Sequence, residues 1–242
     1  MLIAFLGLIA FMIFTKRGFY TSNLNKIKYL GTGIITAAHW IFFFKALKIS
    51  NVSITLTTLA SASLFVAFLE PMFFKRKIIA YEIILGILTL VGLAIIFQAE
   101  RDYSIGIIYA LISAFFAALF STLNGVFVKH ERPTLITTYE MMGGVLFISI
   151  YYLFTGGFES LQMPSSIDWF WLFILGLVCT SMAFVVSIEV MKELSPFTVS
   201  MSINMEPIYS IIFALIIFQE DEYMSSLFYL GAVIVMSMIF MN

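Results

Sequence analysis

Glu206 and Pro207 stand side by side in "SINMEPIYSII" (residues 202–212), inside a run that otherwise suits a lipid-embedded helix. A carboxylate at the middle of a bilayer costs several kcal/mol on insertion scales, and more on an isolated helix. Pro207 has no N–H to give the carbonyl of Ile203, so a helix must kink or open there. At helical spacing, Thr198, Ser202, Glu206, Tyr209 and Ser210 form one polar stripe, while Asn204 points elsewhere. Two readings fit. Glu206 lines a polar cavity, where it binds a cationic group of a ligand or carries a proton, or it is a protonated packing residue hydrogen-bonded to a neighbouring helix.

Other polar residues sit at depth. Glu140, in "TTYEMMGG", is about one turn from mid-span, beside Gly143 and Gly144, which allow close helix approach. A functional role and a structural hydrogen bond both fit it. His39 is at the centre of its span with Thr36 and Phe43 on the same face and Trp40 adjacent. It reads either as a substrate or proton site or as a satisfied core histidine. Trp40 and Tyr139 fit cavity walls or ordinary packing. Glu70, near Lys75, Arg76 and Lys77, can snorkel to the interface. Asn124 fits a helix–helix hydrogen bond or a cavity group. No glycine-rich phosphate loop, H-E-x-x-H, G-x-S-x-G or C-x-x-C occurs. The single cysteine, Cys179, is read as a small core residue, so neither a disulfide framework, a Cys-based metal site nor a cofactor is expected.

The elements that must position these residues follow from composition. Of 242 residues, 62% are hydrophobic and 11% charged, with mean hydropathy +1.05. Ordinary globular domains carry about 25% charged residues. Charges fall in short islands between apolar stretches of about the 20 residues a spanning helix needs. The chain is therefore expected to be an all-α polytopic membrane protein, embedded in a lipid bilayer. Its net charge of −1 gives no basis for nucleic-acid binding. Nine segments read as transmembrane helices: 1–14, 28–48, 52–74, 78–98, 105–128, 134–154, 168–190, 196–218 and 225–241. Ten of the 13 Lys and Arg residues fall on one side if the loop at Lys16–Lys28 is cytoplasmic. The positive-inside rule then puts the C-terminus in the cytoplasm.

An ungapped offset of 145 aligns the two halves. Gly31 meets Gly176, Ser50 meets Ser195 and Gly86 meets Gly231, while Ser53, Thr57 and Ser61 fall on Thr198, Ser202 and Glu206. The basic turn Lys75–Lys77 falls on the acidic turn Glu220–Glu222. Equivalent turns separated by an odd number of spans face opposite sides, so the pattern predicts two inverted five-helix repeats, 1–101 and 102–242. The helices at 52–74 and 196–218 should then be related by a two-fold axis in the membrane plane, with Ser61 and Glu206 at equal depth. The first repeat lacks partners for part of the second, so the register predicts ten helices and about 40–50 further N-terminal residues in a complete protein.

These residues also carry a family resemblance. "IGIIYALISAFFAALFSTLNGVFVK", "LITTYEMMGG", "GLVCTSMAFVVSIEVMKELSPFTVSMSINMEPIYSIIFALIIFQEDE" and "YLGAVIVM" resemble the EamA-type branch of the drug/metabolite transporter superfamily. The pattern is an L-S-P turn, a Glu-Pro eleven residues after its serine, an acidic turn and a Gly-containing last helix. "FFFKALKISNVSITLTTLASASLFVAF" matches more loosely, with Ala62-Ser63 where a proline is often found. The resemblance implies a secondary transporter of a bacterial-type inner membrane. It would move small-molecule metabolites, often outward, by alternating access through a central cavity. Glu206, Glu140, His39, Ser202, Tyr209, Ser61 and Trp40 are the candidate substrate- or proton-binding residues, with Pro207 as the helix kink. A non-transporting membrane scaffold and an intramembrane enzyme using Glu206 and Glu140 are the alternatives; neither oligomeric state nor substrate identity is legible.

Overall fold

The computed structural model describes residues 1–157, 163–218 and 224–240, with the side chains at 207, 218 and 238–240 outside the description. Among the described residues the regular elements are all helical. They are α1 (Leu2–Phe14), α2 (Asn23–Ile49), α3 (Val52–Leu59), α4 (Ala62–Phe74), α5 (Ala80–Ala99), α6 (Ser104–Phe127), α7 (Pro133–Thr155), α8 (Ser166–Phe173), α9 (Ala183–Val190), α10 (Pro196–Ile203), α11 (Glu206–Phe218) and α12 (Ser226–Phe240). A π-helical segment, Ile174–Met182, joins α8 to α9. Among the described residues, seven spans are long and apolar enough to cross a membrane, and the apolar stretches Leu2–Phe14 and Ser226–Ser237 are shorter. Along α5, Ile84, Ile87, Leu90 and Val91 are all exposed. Such a face suits lipid, where outward apolar groups carry no penalty. The chain is a polytopic helical membrane protein.

Two of the spans are broken in the middle. The span Val52–Phe74 interrupts at Ala60–Ser61, and the span from Pro196 interrupts at Asn204–Met205, immediately before Glu206. The second break answers the sequence: Pro207 cannot donate to Ile203, so the turn there tightens, with Met205 N–H bonding Ser202 O at 3.2 Å and Ile208 N–H bonding Met205 O at 3.2 Å. The first break has no proline; Pro71 lies inside α4 further on. There Ser61 N–H reaches only three residues back, to Thr58 O at 3.0 Å, and Leu64 N–H to Ser61 O at 3.0 Å. Side chains inserted into the backbone ladder open it, as described below.

The broken helices are built alike. Val52–Leu59 and Pro196–Ile203 are displaced by 144 positions, as are Ala62–Phe74 and Glu206–Phe218. Their N-caps match too: Asn51 Oδ1 accepts from Ile54 N–H at 2.9 Å, and Ser195 Oγ from Thr198 N–H at 3.1 Å. Through these helices the register is one residue less than the 145 read from the sequence, so Ser61 corresponds to Met205 and Glu206 to Ala62. Five residues separate α4 from α5 and seven separate α11 from α12. An ungapped alignment must therefore split the difference. The acidic turn Glu220–Glu222 lies outside the described residues.

The helices gather into two compact units, each drawing on both halves of the sequence. One comprises Met1–Ala37 and Leu123–Glu193. In it α1 packs on α7 and on the π segment, where Ser181 Oγ donates to Ala4 O at 3.1 Å and to Gly176 O at 2.8 Å. Here α2 and α7 touch backbone to backbone: a Cβ on Gly33 would collide with the carbonyl of Glu140, and one on Gly143 with the carbonyl of Leu30. Cys179, read as a core residue, is exposed and lies within the π segment. The other unit comprises Ala38–Thr122 and Leu194–Asn242. There α5 lies along α12, α3 packs on α11, and α4 packs on both α5 and α10. The halves of the broken helices thus pair crosswise, first with second, as in an antiparallel crossing.

Candidate functional site

The crossing of the broken helices is polar at its centre. Six of the eight residues of α3 are buried, Ser53, Thr55, Thr57 and Thr58 among them. Asn204, at the second break, is 6% exposed and sends its two amide hydrogens to the first: Nδ2 donates to Ala60 O at 3.0 Å and to Ser63 Oγ at 3.1 Å. Ser63 Oγ itself donates to Ala60 O at 3.0 Å. The Ala60 carbonyl is thereby drawn out of the helix ladder, which holds the proline-free break open. Around it the hydroxyls of Thr57, Thr58 and Ser61 are buried and find no hydrogen-bond partner among the described residues. A buried hydroxyl normally has one. Ser61 is therefore at the joint of the first broken helix, one residue from the carbonyl that Asn204 holds.

Glu206 opens α11 directly after the second break and is exposed, as are Ser202 and Tyr209. Thr198 and Ser210 are half-buried. Ser202 Oγ donates to Thr198 O at 3.0 Å, so its hydroxyl is spent on its own helix. The polar stripe is accessible along its length, while Asn204 turns the other way into the crossing. The side chain of Pro207 lies outside the described residues.

His39 and Trp40 stand on α2 against α6. His39 Nδ1 lies 2.9 Å from Ser113 O and 2.8 Å from Ser113 Oγ, and Ser113 Oγ donates to His39 O at 3.0 Å. A carbonyl only accepts, so Nδ1 carries the hydrogen and Nε2 is the ring's acceptor. Phe43 stacks on the ring and Phe120 meets it edge-on. Trp40 packs edge-on against Phe44. Glu140, by contrast, belongs to the other compact unit and is fully buried on α7, where its Oε2 accepts from Asn124 Nδ2 at 3.3 Å. Tyr139 is tied by its hydroxyl to Phe19 O at 3.1 Å.

Sequence reasoning missed two polar groupings. Glu70 does not snorkel free. It is 3% exposed, its Oε1 pairs with Arg76 Nε at 2.9 Å, and its Oε2 accepts from Phe197 N–H at 2.8 Å. Phe197 is in the first turn of α10, whose amides need acceptors and whose positive end suits a carboxylate. Arg76 also reaches Glu82 Oε2 at 2.7 Å. α4 ends in a left-handed turn at Lys75 (φ 53°), which swings Arg76 back over both carboxylates. Burial alone would ease the proton off Arg76, but the hydrogen bonds it donates to Glu82 and Glu70, with the charge of both carboxylates, outweigh that and hold its pKa above the ordinary value. The Asn204 joint was the second omission; an amide two residues before an intramembrane Glu-Pro was its signal.

A helical membrane bundle with two centrally broken, crossing spans and polar groups at the breaks has the architecture of a membrane carrier. The profile of the EamA-like transporter family matches residues 104–242, more than half of the chain, and the chain belongs to that family. It is 24% identical over 197 residues to the uncharacterized transporter YxxF of Bacillus subtilis (strain 168), covering 79% of this chain and 62% of that protein. The chain thus spans less than two thirds of this relative's length. A protein of known crystal structure shares the fold at a TM-score of 0.70 with 15% identity, over 98% of this chain and 82% of that one.

Proposed function

We propose that the protein is a secondary transporter that moves small metabolites across a bacterial inner membrane by alternating access through a central polar cavity, with outward transport and a cytoplasmic C-terminus. The observation that carries this reading is the crossing of two mid-span helix breaks, tied by Asn204 and surrounded by hydroxyls without a partner among the described residues. Broken helices at membrane depth are tolerated where they are buried in protein or line water, and in carriers they form the substrate site. Glu206, Ser202 and Tyr209 form the substrate-facing wall, with Glu206 taking a cationic group. Ser61 stands at the equivalent joint of the first half, and His39 and Trp40 are positioning residues of α2. The 144-residue displacement and the crosswise pairing of the half-helices support inverted repeats over 1–101 and 102–242.

The test is flux. Proteoliposomes carrying the protein are loaded with a panel of amino acids, polyamines and nucleosides, and release is followed by mass spectrometry. Protein-dependent release of an unmodified solute supports a transporter. No release of any member relative to empty vesicles supports the scaffold reading, and appearance of a chemically altered solute supports an enzyme.

A further inference from the structure

Glu140 poses a question that the crossing helices do not answer. Its carboxyl is 0% exposed, yet among the described residues no cationic side chain pairs with it. Among the described residues its one side-chain hydrogen bond is the 3.3 Å contact from Asn124 Nδ2 to Oε2. Its other oxygen, Oε1, is buried and finds no partner among those residues, and the same holds for Asn124 Oδ1. An ionised carboxylate buried with a single neutral donor is far costlier than a neutral one. A protonated carboxyl has one hydrogen to give, which matches the unpaired oxygens on both side chains.

The neighbours leave little else to supply the charge. α1 packs on α7 and contains no titratable side chain; Met1, which precedes it and lies against Gly144 of α7, carries the N-terminal ammonium, which makes no ion pair with Glu140. α2 brings the glycine contact at Gly33 and the buried phenol of Tyr29. It carries Lys26 and Lys28 as well, neither paired to Glu140. α6 presents Asn124. α9 presents Glu189, which is exposed and paired with Lys192. The backbone contacts at Gly33 and Gly143 bring α2 and α7 together beside Glu140, whose side chain is fully buried.

From this geometry we infer that Glu140 and Asn124 form a proton-binding site: Glu140 holds a proton in the buried conformation and releases it when α2 and α7 part and water enters. Resting on the transport reading, it names the proton as the coupling ion and separates its carrier, Glu140, from the substrate-facing Glu206. Opening exchanges a carboxyl O–H for a hydrated carboxylate, and the proton passes to the entering water.

The test reads protonation directly and needs no substrate. Infrared difference spectra of the protein in lipid vesicles are recorded during a pH titration. The expected result is a protonated-carboxyl carbonyl band present at neutral pH that disappears on alkalinisation, is absent in Glu140→Gln, and survives in Glu206→Gln. If Glu140→Gln does not fold, Asn124→Ala is read instead and should shift the band, since it removes the amide that donates to the carboxyl. A spectrum without a Glu140-dependent band at neutral pH, a band that never titrates while the protein stays folded, or a band unmoved in Asn124→Ala each overturns the inference. Those results leave the transport reading standing. Loss of flux with the titrating band intact would strike that reading and not this one.

Discussion

Asn204 Nδ2 lies 3.0 Å from the carbonyl of Ala60, 144 residues away, so the break in one spanning helix is fastened to the break in the other. The bond explains why a helix with neither glycine nor proline at its midpoint opens there. Ser63, just past the first joint, shares the same amide.

Removing that amide should loosen the crossing. Asn204→Ala deletes two buried hydrogen bonds, at about 1–3 kcal/mol in all. Asn204→Asp should cost more, because a carboxylate there faces the Ala60 carbonyl, which can only accept. Thermal unfolding in detergent, followed by tryptophan fluorescence, should rank wild type above Ala and Ala above Asp.

Arg76 holds two carboxylates, and its loss leaves Glu82 and Glu70 without the cation that pairs them, Glu70 keeping the Phe197 N–H. Arg76→Met should destabilise by about 3–5 kcal/mol, the scale for breaking a buried pair by removing one partner. Lys77→Met, outside the triad, should stay within about 0.5 kcal/mol. Because its folded pKa is raised, the Arg76 contribution is fully present below the unfolded value and fades only as pH rises through the folded one. From neutrality to about pH 10 the difference between wild type and Arg76→Met should therefore not decline through loss of the arginine charge. Parallel melts across that range check it.

Gly33 and Gly31 are two residues apart and should respond in opposite ways. A methyl on Gly33 meets the Glu140 carbonyl, which is rigid backbone, whereas one on Gly31 meets open space. Gly33→Ala should cost at least about 1–3 kcal/mol by forcing the helices apart. Gly31→Ala should be neutral, or stabilising by up to about 1 kcal/mol through helix propensity. The same fluorescence melts separate the two.

The membrane architecture was legible because it depends on local composition. Apolar runs between charged islands place the spans to within a few residues, and Pro207 announces its own break. What could not be read were relationships that the fold creates. The Ala60–Ser61 break is imposed by Asn204 from the other half of the chain. Glu70 is held from the interface by a left-handed Lys75 that no rule assigns to lysine. Asn124 and Glu140 are 16 residues apart on helices whose facing sides only packing decides. The 145 register was one residue off through the broken helices because connections of unequal length follow them.

The central claim, that solute passes along the stripe carrying Glu206, is tested most directly by flux. Once the panel identifies a solute, its counterflow is measured in proteoliposomes with wild type and Glu206→Gln at matched protein content. Gln keeps the shape and hydrogen bonding and removes the charge. Transport should fall at least about tenfold, the equivalent of about 1.4 kcal/mol of lost interaction, while melting temperature and membrane insertion stay unchanged. Wild-type counterflow by Glu206→Gln across the pH range would contradict the account.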